Sequence, residues 1–152
     1  MRGAEAVMET VRREPARGLR LVELARVEAL ALLGEVSLGR VVFTDRALPA
    51  VRLVNHVVDR ETVIIRTHLG SALLSTAGEV VAYEADAFDL QTHEGWSVVV
   101  TGTARIVRDE KDIARYEQLL RPWVDQHMEY VIGIRAAIVT GYRIVKHDRD
   151  LL

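Results

Sequence analysis

The sequence predicts a mainly β (α+β) fold, a six-stranded antiparallel β-barrel with short capping helices. Segments rich in β-branched residues recur along the chain, and short turn sequences separate them. Two other stretches repeat apolar residues at helical spacing. Short connections favour antiparallel pairing, and closing the sheet removes the exposed edges that so many strands would otherwise leave.

The composition indicates one globular domain. The 152 residues are 49% hydrophobic and 28% charged, and residues of both signs give a net charge of −2. A nucleic-acid partner is therefore not predicted. The chain has no cysteine, which excludes disulfides, thiolate metal sites and cysteine nucleophiles and agrees with a cytoplasmic location. No apolar run reaches the length of a membrane span, so no membrane partner is predicted either.

Three regions are predicted along the chain: a flexible or weakly helical N-terminal arm (1–20), a folded domain (21–145) and a polar tail (146–152). The arm is rich in arginine, but acidic residues interrupt it and no apolar segment follows. It therefore does not predict a secretory signal.

The folded domain is expected to begin with a helix in LVELARVEALALLGEV. Leu24, Val27, Leu30 and Leu33 follow helical spacing, and Gly34 stands where a C-terminal cap would be. GRVVFTD, AVRLVNHVVD and TVIIRTH predict three strands, and the short turns between them predict antiparallel hairpins.

Three further strands and two helices complete the prediction. SALLSTAG predicts a short helix that starts at Ser71, and EVVAYEADAF predicts strand four. In the fifth strand, GWSVVVTGTARIV, alternation separates apolar from polar residues, and Gly102 indicates a bulge or a close backbone approach. Asp109 is expected to cap the helix EKDIARYEQLL, with Tyr116 and Leu119 on its apolar stripe. EYVIGIRAAIVTGYRI predicts one long closing strand.

Metal and nucleophile chemistry are not predicted. The histidines show no metal-ligand spacing and no HExxH motif: His56, His68, His93, His127 and His147. No nucleophile elbow surrounds a serine, and the glycines match neither a P-loop nor a dinucleotide fingerprint. The acidic residues Glu84, Asp86 and Asp89 are compatible with a cation site, but alternation along a strand favours solvated carboxylates.

The junction IIRTHLGSALL, where a strand meets a helix, can bind phosphate, because the first turn of a helix presents unpaired N–H groups. The hairpin with the preceding strand would bring five polar residues into one neighbourhood, although alternation sends only some of them to each face: Arg52, Asn55, His56, Arg66 and Thr67. A flat ligand with its anionic tail near Gly70 and Ser71 explains this pattern. A capped helix beside an exposed hairpin explains it equally well, and the residues alone leave both interpretations open.

The order of these segments resembles the flavin-binding split-barrel proteins related to pyridoxamine 5'-phosphate oxidase. The resemblance runs from GRVVFTD through PAVRLVNHVVD, IIRTHLGSALL, VAYEADAFD and GWSVVVTGTARIV to IVTGYRI, and covers about residues 21–144. It implies an FMN-binding split barrel that forms a homodimer, with FMN at the subunit interface and a small molecule as substrate.

Carried over to this sequence, the resemblance implies these cofactor-binding residues: Arg52, Leu53, Val54, Asn55, His56, Arg66, Thr67, Gly70, Ser71, Trp96 and Ser97. Arg52 would lie near the ribityl phosphate, and Thr67 and Ser71 would donate hydroxyl groups to it. His56 is the one candidate for catalysis, as a residue that tunes charge or donates a proton, and packing at the barrel lip is its alternative role.

One departure from the family pattern concerns the phosphate. Basic residues follow the serine in the oxidases, whereas this chain has Ala72 and Leu73. The C-terminal substrate-binding region of the oxidases, rich in arginine and tryptophan, is also not evident in this sequence. The hypothesis is therefore an FMN-binding oxidoreductase with a substrate that is unknown and differs from pyridoxamine phosphate. The alternatives are a deazaflavin-dependent reductase, a haem-binding split barrel, and a flavin-binding or structural dimeric module without turnover.

Overall fold

The protein's structure, a computed structural model, describes residues 18–68, 71–123 and 128–147. The predicted tail beyond residue 147, most of the predicted arm and Gly70 lie outside these ranges. The described strands are β1 (Leu19–Glu23), β2 (Leu38–Asp45), β3 (Leu48–Asp59), β4 (Thr62–Thr67), β5 (Val80–Phe88), β6 (Gly95–Ile106), β7 (Tyr130–Arg135) and β8 (Ile138–Lys146). The described helices are α1 (Arg26–Glu35), α2 (Glu110–Leu119) and a 3-10 helix (Ala72–Thr76).

Six strands close into an antiparallel barrel, as the sequence predicts. Their order is β6-β5-β2-β3-β4-β7, and β7 pairs again with β6. Two further strands, β8 and then β1, extend the sheet outward from β6. We call β1, β8, β6, β5, β2 and the first part of β3 the main sheet. All of the described pairings are antiparallel, so the predicted hairpins are also confirmed.

The predicted single closing strand is wrong, because a β-bulge divides it into β7 and β8. Both strands pair with β6, but residues 135–137 of the closing segment stand opposite only residues 102–103. A Cβ atom on Gly102 would overlap the carbonyl oxygen of Arg135, so this position requires glycine. The bulge lets β7 turn onto β4 and close the barrel, while β8 stays in the main sheet.

The first helix is confirmed, but it is shorter than the helical spacing indicates. Residues 21–23 belong to β1, which pairs with β8 and covers an edge that would otherwise be exposed. Val27 is 82% exposed, and the helix instead buries Ala29, Leu30, Leu32 and Leu33. Gly34 lies inside the last turn and is not the cap.

The barrel interior is filled by alternating apolar side chains, and the helices close two of its surfaces. In β6 the predicted alternation is confirmed, since Trp96, Val98 and Val100 are buried. The helix α2 is capped by Asp109, as predicted, and packs Tyr116 against the outer surface of β4 and β7. Leu119, which is expected on the same stripe, is exposed.

Candidate functional site

β3 and β4 separate at one end of the barrel. They pair only between 56–59 of β3 and 62–65 of β4. Beyond this point β4 stays beside β7, whereas β3 stays beside β2. The separation leaves a hollow of about 70 Å³, which we call the strand gap. Its lining residues are Leu53, Val54, Asn55, Arg66, Leu120, Pro122 and Met128.

Arg66 is the charged residue of the strand gap. Its terminal nitrogens donate hydrogen bonds to the carbonyl oxygens of Leu120, at 3.1 Å, and Met128, at 2.7 Å. Its Nε atom is buried and has no hydrogen-bond partner among the described residues. A buried donor of this kind is uncommon in folded proteins, and an acceptor atom on a ligand in the gap would satisfy it.

Asn55 connects the gap to the segment that follows α2. Its Nδ2 donates to the carbonyl oxygen of Ser37 at 3.2 Å, and its Oδ1 accepts from the backbone N–H of Trp123 at 2.9 Å. Together with Arg66, it holds residues 120–123 against the gap. The Trp123 side chain itself is 69% exposed.

His56 lies in the barrel interior and not in the gap. Its side chain is 1% exposed, its Nε2 is 2.8 Å from the carbonyl oxygen of Leu33, and its Nδ1 is hydrogen-bonded to the Tyr83 hydroxyl. Burial holds the pKa of His56 below its usual value. The neutral ring satisfies both partners if Nε2 donates and Nδ1 accepts. This arrangement corresponds to the packing role among the two sequence-based alternatives.

The predicted polar neighbourhood is divided between the two faces of the barrel wall. Arg66, Asn55 and Leu53 line the gap from the outside. Three other predicted cofactor residues are buried: His56, Thr67 and Trp96. Val54 is half-buried and packs against the core although it also borders the gap. Ser97 is half-buried on β6.

A second hollow lies beside the predicted phosphate-binding turn. It measures about 610 Å³, and we call it the turn hollow. Its lining residues are Asp45, Arg46, Ser71, Ala72, Leu74 and Ser75. Ser71 caps the 3-10 helix as predicted, because its Oγ accepts a hydrogen bond from the backbone N–H of Leu73 at 3.2 Å.

Arg46 is a residue of this hollow that the sequence does not reveal. It lies in the β2–β3 turn with a left-handed backbone (φ 51°), distant in sequence from Ser71. The contact between β2 and the 3-10 helix brings this turn near Ser71, and no local motif indicates that contact. Arg52, in contrast, lies with its guanidinium 5.7 Å from the ring centroid of Phe43 and is absent from the lining of both hollows.

Across residues 18–68, 71–123 and 128–147, no group of three histidine or acidic side chains is placed to hold a metal ion. Within the same ranges, no helix is long and apolar enough to cross a membrane.

The chain and its fold match a known family. A family model described as pyridoxamine 5'-phosphate oxidase matches residues 25–145, and the chain belongs to this family. It is 49% identical over 144 residues to the uncharacterized protein Rv0080 of Mycobacterium tuberculosis, covering 91% of this chain and 95% of that protein.

Two solved structures are also similar. A putative pyridoxamine 5'-phosphate oxidase from Corynebacterium glutamicum is 35% identical, with a TM-score of 0.71, over 84% of this chain and 99% of that one. An FAD binding protein from Mycobacterium smegmatis is 32% identical, with a TM-score of 0.65, over 82% of this chain and 98% of that one.

Proposed function

We propose that this protein binds a flavin nucleotide and acts as a flavin-dependent oxidoreductase. Family membership and similarity to a protein named for FAD binding support the proposal. The structural observation that carries it is the Nε atom of Arg66, a buried hydrogen-bond donor without a described partner beside the strand gap. The polar edge of a flavin ring carries acceptors that this donor would satisfy.

The two hollows divide the ligand between them. At about 70 Å³ the strand gap is far below the roughly 300–1,000 Å³ of an ordinary ligand pocket, so it would admit only an edge of the ring. The exposed Leu53 side chain would contact the ring itself, and the turn hollow would take the phosphate. Ser97 lies on β6, three strands away from Leu53, and would face the cofactor across the dimer.

In this proposal, Arg46 supplies the positive charge that a basic residue after Ser71 would provide in the related oxidases. Ala72 and Leu73 carry no charge, but Arg46 borders the same hollow as Ser71. A hydrogen bond to a charged group contributes roughly 1.5–3 kcal/mol. FMN is the smallest flavin nucleotide that has both a ring and a phosphate, and FAD is the cofactor named for the M. smegmatis relative.

A second copy of the chain would complete the site. Leu53, which lines the strand gap, and Val51 are 61% and 52% exposed on β3. A flavin ring lying there would have one face against this chain and the other in solvent. A homodimer with the cofactor between the subunits would cover the face of the ring that is otherwise in solvent. We also propose a cytoplasmic location for this protein.

The chemistry would come from the flavin, which transfers hydride or single electrons when it is bound. This chain would bind and orient it. His56 would not exchange protons with a substrate, because both of its ring nitrogens are engaged inside the barrel. Arg66 and Asn55 would fix the edge of the ring and the segment over it.

Titration of the purified protein with FMN and FAD tests the proposal. We expect quenching of flavin fluorescence on binding, and about tenfold or more weaker binding in Arg46→Gln, with a smaller loss in Ser71→Ala. Arg60→Gln is the matched control, because Arg60 also occupies a hairpin turn with a left-handed backbone (φ 57°) but borders neither the strand gap nor the turn hollow.

The alternatives give different results. A protein that binds neither flavin contradicts the proposal, and a Soret band would indicate haem instead. Uptake of a deazaflavin alone would change the cofactor but not the site. Flavin binding without reduction by NADH or NADPH would favour a binding module over an oxidoreductase.

A further inference from the structure

A third hollow lies where the β3–β4 turn meets α2. It measures about 640 Å³, within the roughly 300–1,000 Å³ of ordinary ligand pockets, and we call it the arginine hollow. Its walls are residues 59–62 of the hairpin, Arg135 of β7, and Asp112, Arg115 and Tyr116 of α2. None of these residues lines the strand gap or the turn hollow, so the proposed flavin function does not use them.

A hydrogen-bonded cluster forms one wall of the arginine hollow. The carboxylate of Asp59 accepts a hydrogen bond from the Tyr116 hydroxyl at 2.5 Å and another from the Arg115 guanidinium at 2.8 Å. These bonds hold the pKa of Asp59 below its usual value, so this residue is ionised at neutral pH. Arg115 is also 3.6 Å from the carboxylate of Asp112 and therefore pairs with both acids of this wall.

The other two cations of the hollow, Arg60 and Arg135, have no such partner. Both side chains are exposed, and neither guanidinium makes a hydrogen bond or a salt bridge to another described residue. The third carboxylate of the hollow, on Glu61, is 3.1 Å from Arg26, which lies outside the hollow. With Arg26 included, four arginines meet three carboxylates, so the charge balance at the hollow is positive.

Strand pairing adds a hydroxyl group beside these two arginines. Thr62 stands directly opposite Arg135 in the β4–β7 register, and Arg60 precedes Thr62 in the hairpin turn. The Cβ atoms of directly opposite residues lie about 4.5–5.5 Å apart. The Thr62 hydroxyl makes no hydrogen bond to another described residue. One anion can therefore contact two guanidinium groups, which bind carboxylate and phosphate oxygens in pairs, and a hydroxyl.

An apolar groove shares Arg60 and Glu61 with the arginine hollow. It measures about 550 Å³ and lies beside α1, and we call it the helix groove. Val27, on its surface, is 82% exposed. Glu35 also borders the groove, so an anionic group would lie on the side of Arg135 and an apolar group along α1. The apolar residues of the groove are Val27, Leu30, Ala31, Gly34 and Val58.

We propose that the arginine hollow and the helix groove together bind an anionic amphiphile, a molecule that joins a carboxylate or phosphate group to an apolar chain. Arg60, Arg135 and Thr62 hold the oxygens of the anionic group, and the apolar chain lies along α1. Charge complementarity carries the assignment, because these two arginines lack described partners while each carboxylate of the hollow has one. The site is separate from the strand gap and the turn hollow and goes beyond the flavin function.

Isothermal titration calorimetry with octanoate, acetate and 1-octanol tests both halves of the site. Octanoate has the charge and the chain, acetate has only the charge, and octanol has only the chain. Each buried CH₂ group tightens binding by about fourfold, so we expect octanoate to bind at least about tenfold more tightly than acetate. It should exceed octanol by a similar factor, because octanol has no charge to pair with the arginines. A parallel titration with octyl phosphate shows which anionic group binds more tightly.

Two variants separate the contributions of charge and chain. Arg135→Gln should weaken octanoate binding by about tenfold or more and leave octanol binding unchanged. Val27→Ser should weaken octanoate binding by about fourfold and leave acetate binding unchanged. Both side chains are exposed, so both variants should fold. Arg108→Gln is the matched control, because Arg108 is also exposed, shortly before α2, but borders neither the arginine hollow nor the helix groove.

The contrary results are distinct. Octanoate that binds no more tightly than acetate overturns the proposal, and so does equal octanoate affinity in the wild type and Arg135→Gln. FMN titration of the same variants should give unchanged affinity, because Arg135 and Val27 border neither the strand gap nor the turn hollow. Weaker FMN binding in Arg135→Gln would mean that the flavin occupies the arginine hollow, which overturns a separate site. Octanoate binding without flavin binding would support this site and contradict the flavin proposal alone.

Discussion

Replacing Tyr83 by phenylalanine tests whether His56 is a structural residue. The hydroxyl of Tyr83 is buried, and burial raises its pKa, so it remains protonated and donates to His56 Nδ1. Removing it leaves that nitrogen buried without a partner. The cost of an unsatisfied buried acceptor is roughly 1–3 kcal/mol, and about 2 kcal/mol lowers the midpoint of thermal unfolding by roughly 4–8 °C in a chain of this size.

Urea and thermal unfolding at pH 7.5 measure this effect, with Tyr130→Phe as the control because Tyr130 is only half-buried at the start of β7. Flavin affinity should be unchanged in Tyr83→Phe, since the His56–Tyr83 pair lies inside the barrel. A variant that keeps wild-type stability within 0.5 kcal/mol but loses flavin binding or turnover would refute the reasoning and return His56 to the active site.

Three further predictions concern pH, the bulge and the turn hollow. The lowered pKa of His56 means that the unfolded chain binds a proton more readily below its usual pKa of 6.5, so stability should fall with decreasing pH there. The raised pKa of Glu84 has the opposite effect on stability. Between pH 4.5 and about 7 the folded chain binds this proton more readily than the unfolded chain, so this contribution to stability falls as the pH rises. The free energy of unfolding in Glu84→Gln should therefore rise between pH 5 and 6.5, by up to about 1.4 kcal/mol per pH unit, more steeply than in the wild type; equal slopes in urea titrations would contradict this. Gly102→Ala should lower the free energy of unfolding by about 3 kcal/mol or more, since its methyl group would overlap the Arg135 carbonyl, and a near-native unfolding midpoint would mean that the bulge relaxes. Ala72→Lys should tighten FMN binding by about tenfold if the phosphate lies in the turn hollow, and unchanged affinity in the titration would place the phosphate elsewhere.

The barrel was predictable because strand periodicity and short turns are local signals. The closing strand was not fully predictable, since the bulge depends on where Arg135 meets Gly102 across two strands. The first strand was missed because a helical pattern continues into it, and pairing with β8 overrides that pattern. Tertiary contacts decide both cases.

The candidate site shows the same division. The serine cap and the separation of polar residues onto two faces follow from the sequence. The sequence does not show which of these residues line a hollow. Strand register decides that, because it assigns His56 to the interior and Arg66 to the strand gap. No sequence motif indicates Arg46, because this residue belongs to a turn that comes near Ser71 only in the folded chain.

The position of Trp123 gives the protein an optical reporter of its own. The chain has two tryptophans. One, Trp96, is 6% exposed in the interior, and the other is bonded through its backbone to Asn55 and exposed beside the gap. Fluorescence emission from the buried Trp96 should be blue-shifted and resistant to quenching by iodide. Emission from the exposed Trp123 should be quenched readily. Occupancy near the barrel opening can thus be followed without any attached dye.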